Sequence, residues 1–205
     1  MVGEGPLLLA VSASTPFQTP AELIAAARSK PDGLTYGSAG VGSIGHLATE
    51  LMSDAAKLRM RHVPYKGAAN AAQDLAGGQI DMMISNCSTL ALIQKNGGCK
   101  VRPLAVTSKQ PHPSFAGLPP LAEIVPGYSM DIWIGVFAPA GRPAPLVARL
   151  NREINEISAS SELAALLGPD GTLPNTLTPA AFAARVKEEL AKWKQVATEH
   201  KIVAE

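Results

Sequence analysis

Residues 36–46, Tyr-Gly-Ser-Ala-Gly-Val-Gly-Ser-Ile-Gly-His, carry the most informative chemistry of the chain. They read as a strand end, a tight turn of glycines and serines, and a helix start. Such a turn leaves backbone N–H groups unpaired beside the positive end of a helix dipole, which suits an anion. Ser38, Ala39, Gly40, Val41, Gly42 and Ser43 are therefore candidate ligand-binding residues, with His46 one turn into the helix. Residues 64–70, Pro-Tyr-Lys-Gly-Ala-Ala-Asn, repeat the physics, with Gly67 permitting close approach and Ala68 and Ala69 opening a second helix. Two such junctions at the same edge of a parallel sheet face one crevice, where open α/β sheets bind ligands. Hydrogen bonds to a carboxylate contribute roughly 1.5–3 kcal/mol each, so several hold a small organic acid without an arginine. The alternative is that both are merely tight loops.

Other chemistries find less support. Gly40, Gly42 and Gly45 spell G-x-G-x-x-G, but a dinucleotide site also needs an acidic residue at the end of the next strand, and that strand ends Val63-Pro64-Tyr65-Lys66. Ser43 and His46 lie one turn apart without a nucleophile elbow or an orienting acid. His46 and Glu50 have metal-ligand spacing without a third ligand, so His46 is read as hydrogen-bonding its own loop. His62 reads as a packed or surface histidine, Lys66 as a solvated cation and Asp81 as a turn residue. No catalytic residue, metal or cofactor is assigned. An enzyme acting on a nucleotide or acyl substrate at the 40–45 turn stays open as an alternative.

The elements that must position these residues alternate along the chain. Residues 7–12 read as a strand, and Thr19-Pro20-Ala21-Glu22 as a capped helix start with a capping box. Strands are expected at 34–37, 60–64, 80–84 and 101–106, and helices at 44–55, 68–75 and 90–94. That order favours a largely parallel sheet covered by helices, an α/β fold. Five prolines between 111 and 127 exclude regular structure there, while Phe115, Leu118 and Leu121 anchor the connection. A strand at 132–137 and helices at 144–158 and from Thr178 to about 200 follow, the last with Phe182, Val186, Leu190, Trp193 and Val196 on one stripe.

Composition narrows the partners. The 205 residues are 46% hydrophobic and 17% charged, with a net charge of +1, so nothing attracts nucleic acid or an anionic membrane electrostatically. Aromatic residues make up 4%, too few for stacking platforms, and the core must be aliphatic. No apolar run approaches the ~20 residues of a membrane-spanning helix, and no signal peptide is read at the N-terminus. Cys87 and Cys99 are expected to be unpaired packing residues.

Five segments resemble, in order, the substrate-binding receptors of tripartite tricarboxylate transporters, the Bug family. They are residues 36–47, His62-Val-Pro-Tyr-Lys-Gly67, Asp74-Leu-Ala-Gly-Gly-Gln-Ile-Asp81, Leu104-Ala-Val-Thr107 and Trp133-Ile-Gly-Val-Phe-Ala-Pro-Ala-Gly141. The resemblance implies a two-domain, type II periplasmic-binding-protein-like fold that closes on small carboxylates and does no catalysis. It implies that the loop at residues 38–43 and the helix start at 67–69 donate to a carboxylate with the help of water. It implies periplasmic localisation and membrane components of the transporter as partners. At the strand end Ser85-Asn86 the family often carries an acidic residue beside the asparagine. Serine there leads us to expect a plain dicarboxylate or aromatic acid rather than an amino acid, with Asn86 among the ligand residues.

The resemblance also predicts what is lacking. Family members begin with a signal peptide and a further β/α segment, so this chain is expected to hold one complete β/α domain at 10–129. Residues 1–9 and 130–205 then supply crossover strands and the remaining, C-terminal helical part of a second domain. Exposed apolar surface is expected on the tail helices, covered by a homodimer or segment exchange. Ligand affinity is expected to be weak or nil, since such pockets close from both sides. A remnant that folds without binding a small molecule is the rival reading.

Overall fold

A computed structural model describes residues 1–95 and 100–203. The elements are β1 (Gly3–Pro6), β2 (Leu8–Ser12), α1 (Pro20–Ser29), β3 (Thr35–Ser38), α2 (Ile44–Ala56), β4 (Arg61–Pro64), α3 (Ala68–Ala76), β5 (Met82–Ser85), α4 (Cys87–Lys95), β6 (Val101–Val106), β7 (Asp131–Ile134), α5 (Ala144–Ser158), α6 (Ser161–Leu167), β8 (Leu173–Pro174) and α7 (Pro179–Glu199). They form a five-stranded sheet in the order β4-β3-β5-β2-β6 and a three-stranded sheet in the order β7-β1-β8.

The large sheet departs from the parallel expectation at one strand. β3 is parallel to β4 and β5, but β2 is antiparallel to both β5 and β6, which flank it. The reason lies in the chain path. β2 follows β1 of the small sheet after Leu7 alone, so it enters at the edge where the parallel strands end, Leu8 standing opposite both Ser85 and Val106. At this crossing the Leu7 N–H donates to Thr107 Oγ1 at 2.7 Å, the Thr107 N–H to Leu7 O at 2.9 Å, and the Met130 N–H to Thr107 O at 3.0 Å.

Strand alternation divides the core. Leu7, Leu9 and Val11 point to one face, where they pack with Leu23, Ile24 and Ala27 of α1 and Ala48 and Met52 of α2. Leu8 and Ala10 point to the other, toward Ala71, Ala72 and Leu75 of α3 and Leu90 of α4. Each fully buried leucine contributes about 1.5–3 kcal/mol, so the two faces fix the sheet's register. Helix α1 begins as its sequence predicts: Glu22 N–H donates to Thr19 Oγ1 at 3.2 Å, and Glu22 Oε2 accepts from the Thr19 N–H at 3.3 Å.

Two expectations in the tail need correction. The strand read at 132–137 stops at Ile134, because its partner β1 starts at Gly3 and the ladder ends with Val2 N–H donating to Ile134 O. Val136 and Phe137 are left outside the sheet and exposed. Leu190, placed on the buried stripe of α7, is 66% exposed, while Phe182 and Val196 are buried and Trp193 packs on the first core. α6 was not predicted at all. α7 starts at a Thr178 cap, meets Trp133 and Phe137 through Phe182, and ends against α2. Cys99 lies outside the described residues, and Cys87 is a free thiol.

Candidate functional site

The strand ends place the two predicted junctions together. In the β3–β4 register Ser38 stands opposite Pro64, so residues 38–43 and 64–67 leave the sheet at the same edge. The junctions touch: Tyr65 N–H donates to Ser38 O at 3.0 Å, and a Cβ added at Gly40 would lie 3.3 Å from Tyr65 O. Gly40, Gly42 and Gly67 adopt φ of 129°, 75° and 136°, a region that side chains rarely enter, so the three glycines shape the rim.

Both helix starts at this rim lack side-chain caps. Ser43 precedes α2 in extended conformation, yet its hydroxyl is buried without a hydrogen-bond partner. Gly67, before α3, has no side chain to offer. The first-turn amides of Ile44, Gly45 and His46, and of Ala68, Ala69 and Asn70, are the donors that a helix leaves unpaired. Ala39, Val41 and Ala69 are exposed, and Gly40, Gly42, Ser43, Gly67 and Ala68 are partly exposed, so solvent reaches the rim.

The third helix start at this edge is already occupied. Asp170, from the tail, accepts from the Ser88 N–H of α4 at 2.5 Å. A carboxylate therefore sits at α4 as the dipole favours, and that junction is not open. Asn86, between β5 and α4, accepts from the Ser85 and Thr89 hydroxyls at 3.2 and 3.0 Å through Oδ1. Its amide N–H groups have no partner among the described residues, which leaves them free to donate.

Behind the loop lies a polar stack that no local motif announces. His46 Nδ1 accepts the Gly42 N–H at 3.1 Å, as read from the sequence. Its ring stacks on His62 at 3.8 Å, and His62 stacks on Tyr36 at 4.8 Å. Ser38 Oγ donates to Gly40 O at 2.9 Å, so the His62 Nε2, 2.7 Å away, is the protonated nitrogen that donates to it. Burial holds His46 below the ordinary histidine range, against the attraction of Glu50. Burial and then the neighbouring His46 push His62 down to about 4. Both rings are thus neutral at pH 7.

Tyr36 OH donates to Glu50 Oε1, and Glu50 Oε2 receives His200 Nδ1 at 2.7 Å. Burial and then the Glu50 contact raise the Tyr36 pKa far above its usual value, keeping the phenol a donor. Sequence separation hid these partners. Tyr65 leans the other way, its OH donating to Asp74 at 2.7 Å and its pKa raised to about 12 by burial and Asp74. Lys66 is exposed, as expected. Asp81 does more than turn the chain: its Oδ2 accepts from Thr35 N–H at 2.7 Å and Thr35 Oγ1 at 2.8 Å, pinning β3 to β5. His46 Nε2 and Glu50 Oε1 stand 3.9 Å apart, and no cluster of metal-binding side chains occurs among the described residues.

A separate groove of about 490 Å³ lies in the tail, lined by Met1, Phe137, Leu150, Ile154, Phe182 and Val186 among others. Its walls are largely apolar, with Arg142 and Asn151 also among the lining residues. No described helix is long and apolar enough to cross a membrane.

Comparison with known proteins converges on one family. The chain is 36% identical over 201 residues to a UPF0065 protein in the tcbD-tcbE intergenic region of Pseudomonas sp. (strain P51), covering 97% of this chain and 59% of that protein. It is 29% identical to BugT of Bordetella pertussis, with 97% and 61% covered. The chain thus spans about three fifths of the length of these relatives. Among solved structures it superposes on R. palustris Rpa4515 with adipate at a TM-score of 0.85 and 35% identity, covering 98% of this chain and 67% of that one. It also superposes on the periplasmic binding protein BugD (TM-score 0.80, 28% identity, 98% and 68% covered). MatC from Rhodopseudomonas palustris with bound malate matches at a TM-score of 0.77 and 28% identity, with 95% and 67% covered. These neighbours are binding proteins, not enzymes. The family model for the tripartite tricarboxylate transporter family receptor matches residues 1–202, and the chain belongs to that family.

Proposed function

We propose that this chain is the ligand-gripping part of a periplasmic solute receptor, and that it holds one carboxylate of a small organic acid at the rim of the large sheet. The donors are the amides of Ala39, Val41 and residues 44–46 and 68–70, the Ser43 hydroxyl and the Asn86 amide, the Gly40, Gly42 and Ser43 amides being engaged within the loop itself. The observation that carries this reading is the buried Ser43 hydroxyl, unpartnered at an uncapped helix start whose loop adjoins the junction leading to a second uncapped start at the same sheet edge. Water bridges would complete the grip at little cost. Adipate in Rpa4515 and malate in MatC support a dicarboxylate ligand. Ser85 gives a ligand ammonium no charged partner, which favours a plain dicarboxylate over an amino acid.

In this reading residues 10–129 form the complete β/α domain, and residues 1–9 with 130–205 form part of the opposing one. Two separate sheets support the division. These 205 residues span 67–68% of the solved neighbours, and on their own they are expected to hold the acid weakly, with about millimolar affinity. Membrane components of the transporter would receive the loaded receptor. Calorimetric titration with adipate, malate and aspartate tests the reading. Saturable heat with adipate or malate and none with aspartate supports it, and no heat with any carboxylate up to tens of times millimolar overturns it.

We infer a second property from the tail groove. Val136 and Phe137 are 57% and 66% exposed beside it, and an apolar patch of this kind favours self-association. A homodimer would cover the groove, and sedimentation across a concentration series tests it.

A further inference from the structure

We propose that His46 is the positioning residue of the ligand loop, and that its protonation state sets how well the rim holds a carboxylate. This rests on the carboxylate reading of the rim, and it concerns a side chain that need not touch the ligand. The loop at 38–43 has little to hold it. Gly40 and Gly42 are conformationally permissive, Ala39 and Val41 are exposed, and Ser43 N–H donates to Gly40 O at 3.2 Å. Ser38 Oγ ties the first part of the loop, donating to Gly40 O at 2.9 Å and accepting the Gly40 N–H at 3.2 Å, and two histidines tie the loop to the elements around it. His46 Nδ1 takes the Gly42 N–H at 3.1 Å, and His62 donates to Ser38 Oγ at 2.7 Å. The two rings lie face to face, 3.8 Å apart and 12° from parallel, so neither moves alone.

The acceptor role requires a neutral ring. A proton on Nδ1 would set an N–H against the Gly42 N–H and release the loop. It would also place a cation 3.8 Å from a second imidazole. Every element packed on His46 bears on this. Glu50 on its own helix attracts a proton, with Oε1 at 3.9 Å from Nε2. That same carboxylate oxygen already accepts from Tyr36 OH on β3, and the other oxygen of Glu50 faces His200 at the end of α7. Burial, which leaves His46 7% exposed, opposes a proton there, and so does the charge of His200, while His62 on β4 is itself held neutral by burial and by His46. The balance keeps the ring neutral at pH 7 and lets it charge only as the solution becomes acidic. Neutral His46 then means an ordered loop with amides aimed outward, and charged His46 a loosened one.

His46→Gln separates this role from mere packing, because the glutamine carbonyl can accept the Gly42 N–H at any pH. Adipate and malate affinity would be measured by calorimetry from about pH 7 to about pH 5, taking the ratio of variant to wild type so that the ligand's own titration cancels. Wild type is expected to weaken several-fold more than His46→Gln over that range, and His46→Leu to bind about fivefold more weakly than wild type at pH 7. Amide exchange gives a second readout that needs no ligand: the protection factor of the Gly42 N–H should fall on acidification in wild type and stay level in His46→Gln. Should neither acid bind wild type, the carboxylate reading fails while the Gly42 readout still decides the loop's coupling. Equal pH profiles in wild type and His46→Gln, or a Gly42 protection factor independent of His46, would overturn the proposal.

Discussion

His200 closes on Glu50 with Nδ1 2.7 Å from Oε2, while its Nε2 reaches Asp54 Oδ2 at 2.7 Å, so the end of α7 is tied to two turns of α2. Burial opposes charge on His200, but the Asp54 hydrogen bond and the charges of Glu50, Asp54 and Glu199 outweigh it and raise its pKa. A raised histidine pKa stabilises the fold fully below about 6.5, the unfolded value, and that stabilisation is lost as pH rises through the folded value. His200→Ala is expected to cost about 1 kcal/mol near pH 6, a figure discounted for partial exposure. That corresponds to roughly 2–4 °C in Tm. The cost should shrink as the pH rises past the folded pKa, where wild type itself loses the clamp. Thermal melts of both proteins between these conditions check the sign.

His46 and His62 push the other way. Both are held neutral by burial, so their contribution is present above about 6.5 and is lost as pH falls toward their lowered values, about 4 for His62. Wild-type stability is therefore expected to peak near neutrality and decline on both sides. In His62→Phe, which keeps the ring stack without a titrating group, the decline on the acid side should flatten. An acid limb unchanged in that variant would contradict the assignment.

Ser43→Ala separates binding from stability. The Ser43 hydroxyl caps nothing and has no partner, so its removal is expected to change stability by less than about 0.5 kcal/mol. The same change should weaken adipate or malate binding by about 1 kcal/mol, the loss of one hydrogen bond. Ser160, whose Oγ caps α6 by accepting the Leu163 N–H at 3.2 Å, is the control. Ser160→Ala should cost about 1 kcal/mol of stability and leave affinity alone.

Gly45→Ala probes how tightly α2 sits on the sheet. A Cβ there would lie 2.6 Å from the Ile84 carbonyl oxygen, a backbone atom that cannot turn aside. The helix start must shift, at an expected 1–3 kcal/mol, about the cost of overpacking a core. At Gly67 nothing lies within 4 Å, and only the φ of 136° resists a side chain. Gly67→Ala should therefore lower the melting temperature through strain, about 1–2 kcal/mol, without displacing α3. Crystal structures of the two variants would distinguish displacement from strain.

What could be read from the sequence was what is settled within a few residues. The Thr19 capping box, the glycine turns and the Gly42–His46 bond all join positions at most four apart, so their chemistry is written locally. The common rim followed from strand and helix alternation. The insertion of β2 did not, because its direction is set by the crossing at Leu7 and Thr107, a hundred residues apart. His62 beside His46, His200 on Glu50 and Asp170 at the start of α4 were hidden for the same reason. The strand predicted through Val136 and Phe137 failed because apolar character signals burial without saying what does the burying.

That unburied character makes the last prediction. Val136 and Leu150 line the tail groove at 57% and 43% exposure, together with Phe137, Ile154 and Phe182. Covering such a surface is favourable by about 25 cal/mol for each Å² of apolar area removed from water, and a second copy of the chain is always at hand as concentration rises. Sedimentation of wild type should therefore show a mass that climbs with concentration. Val136→Ser with Leu150→Ser should hold it at 21.3 kDa, the monomer, across the same range. Because both side chains already face solvent, the double variant should lose less than about 1 kcal/mol of stability, and its adipate affinity should match wild type, since the groove and the rim are separate. A wild-type mass that stays monomeric at every concentration would mean that the groove does not drive pairing of this chain.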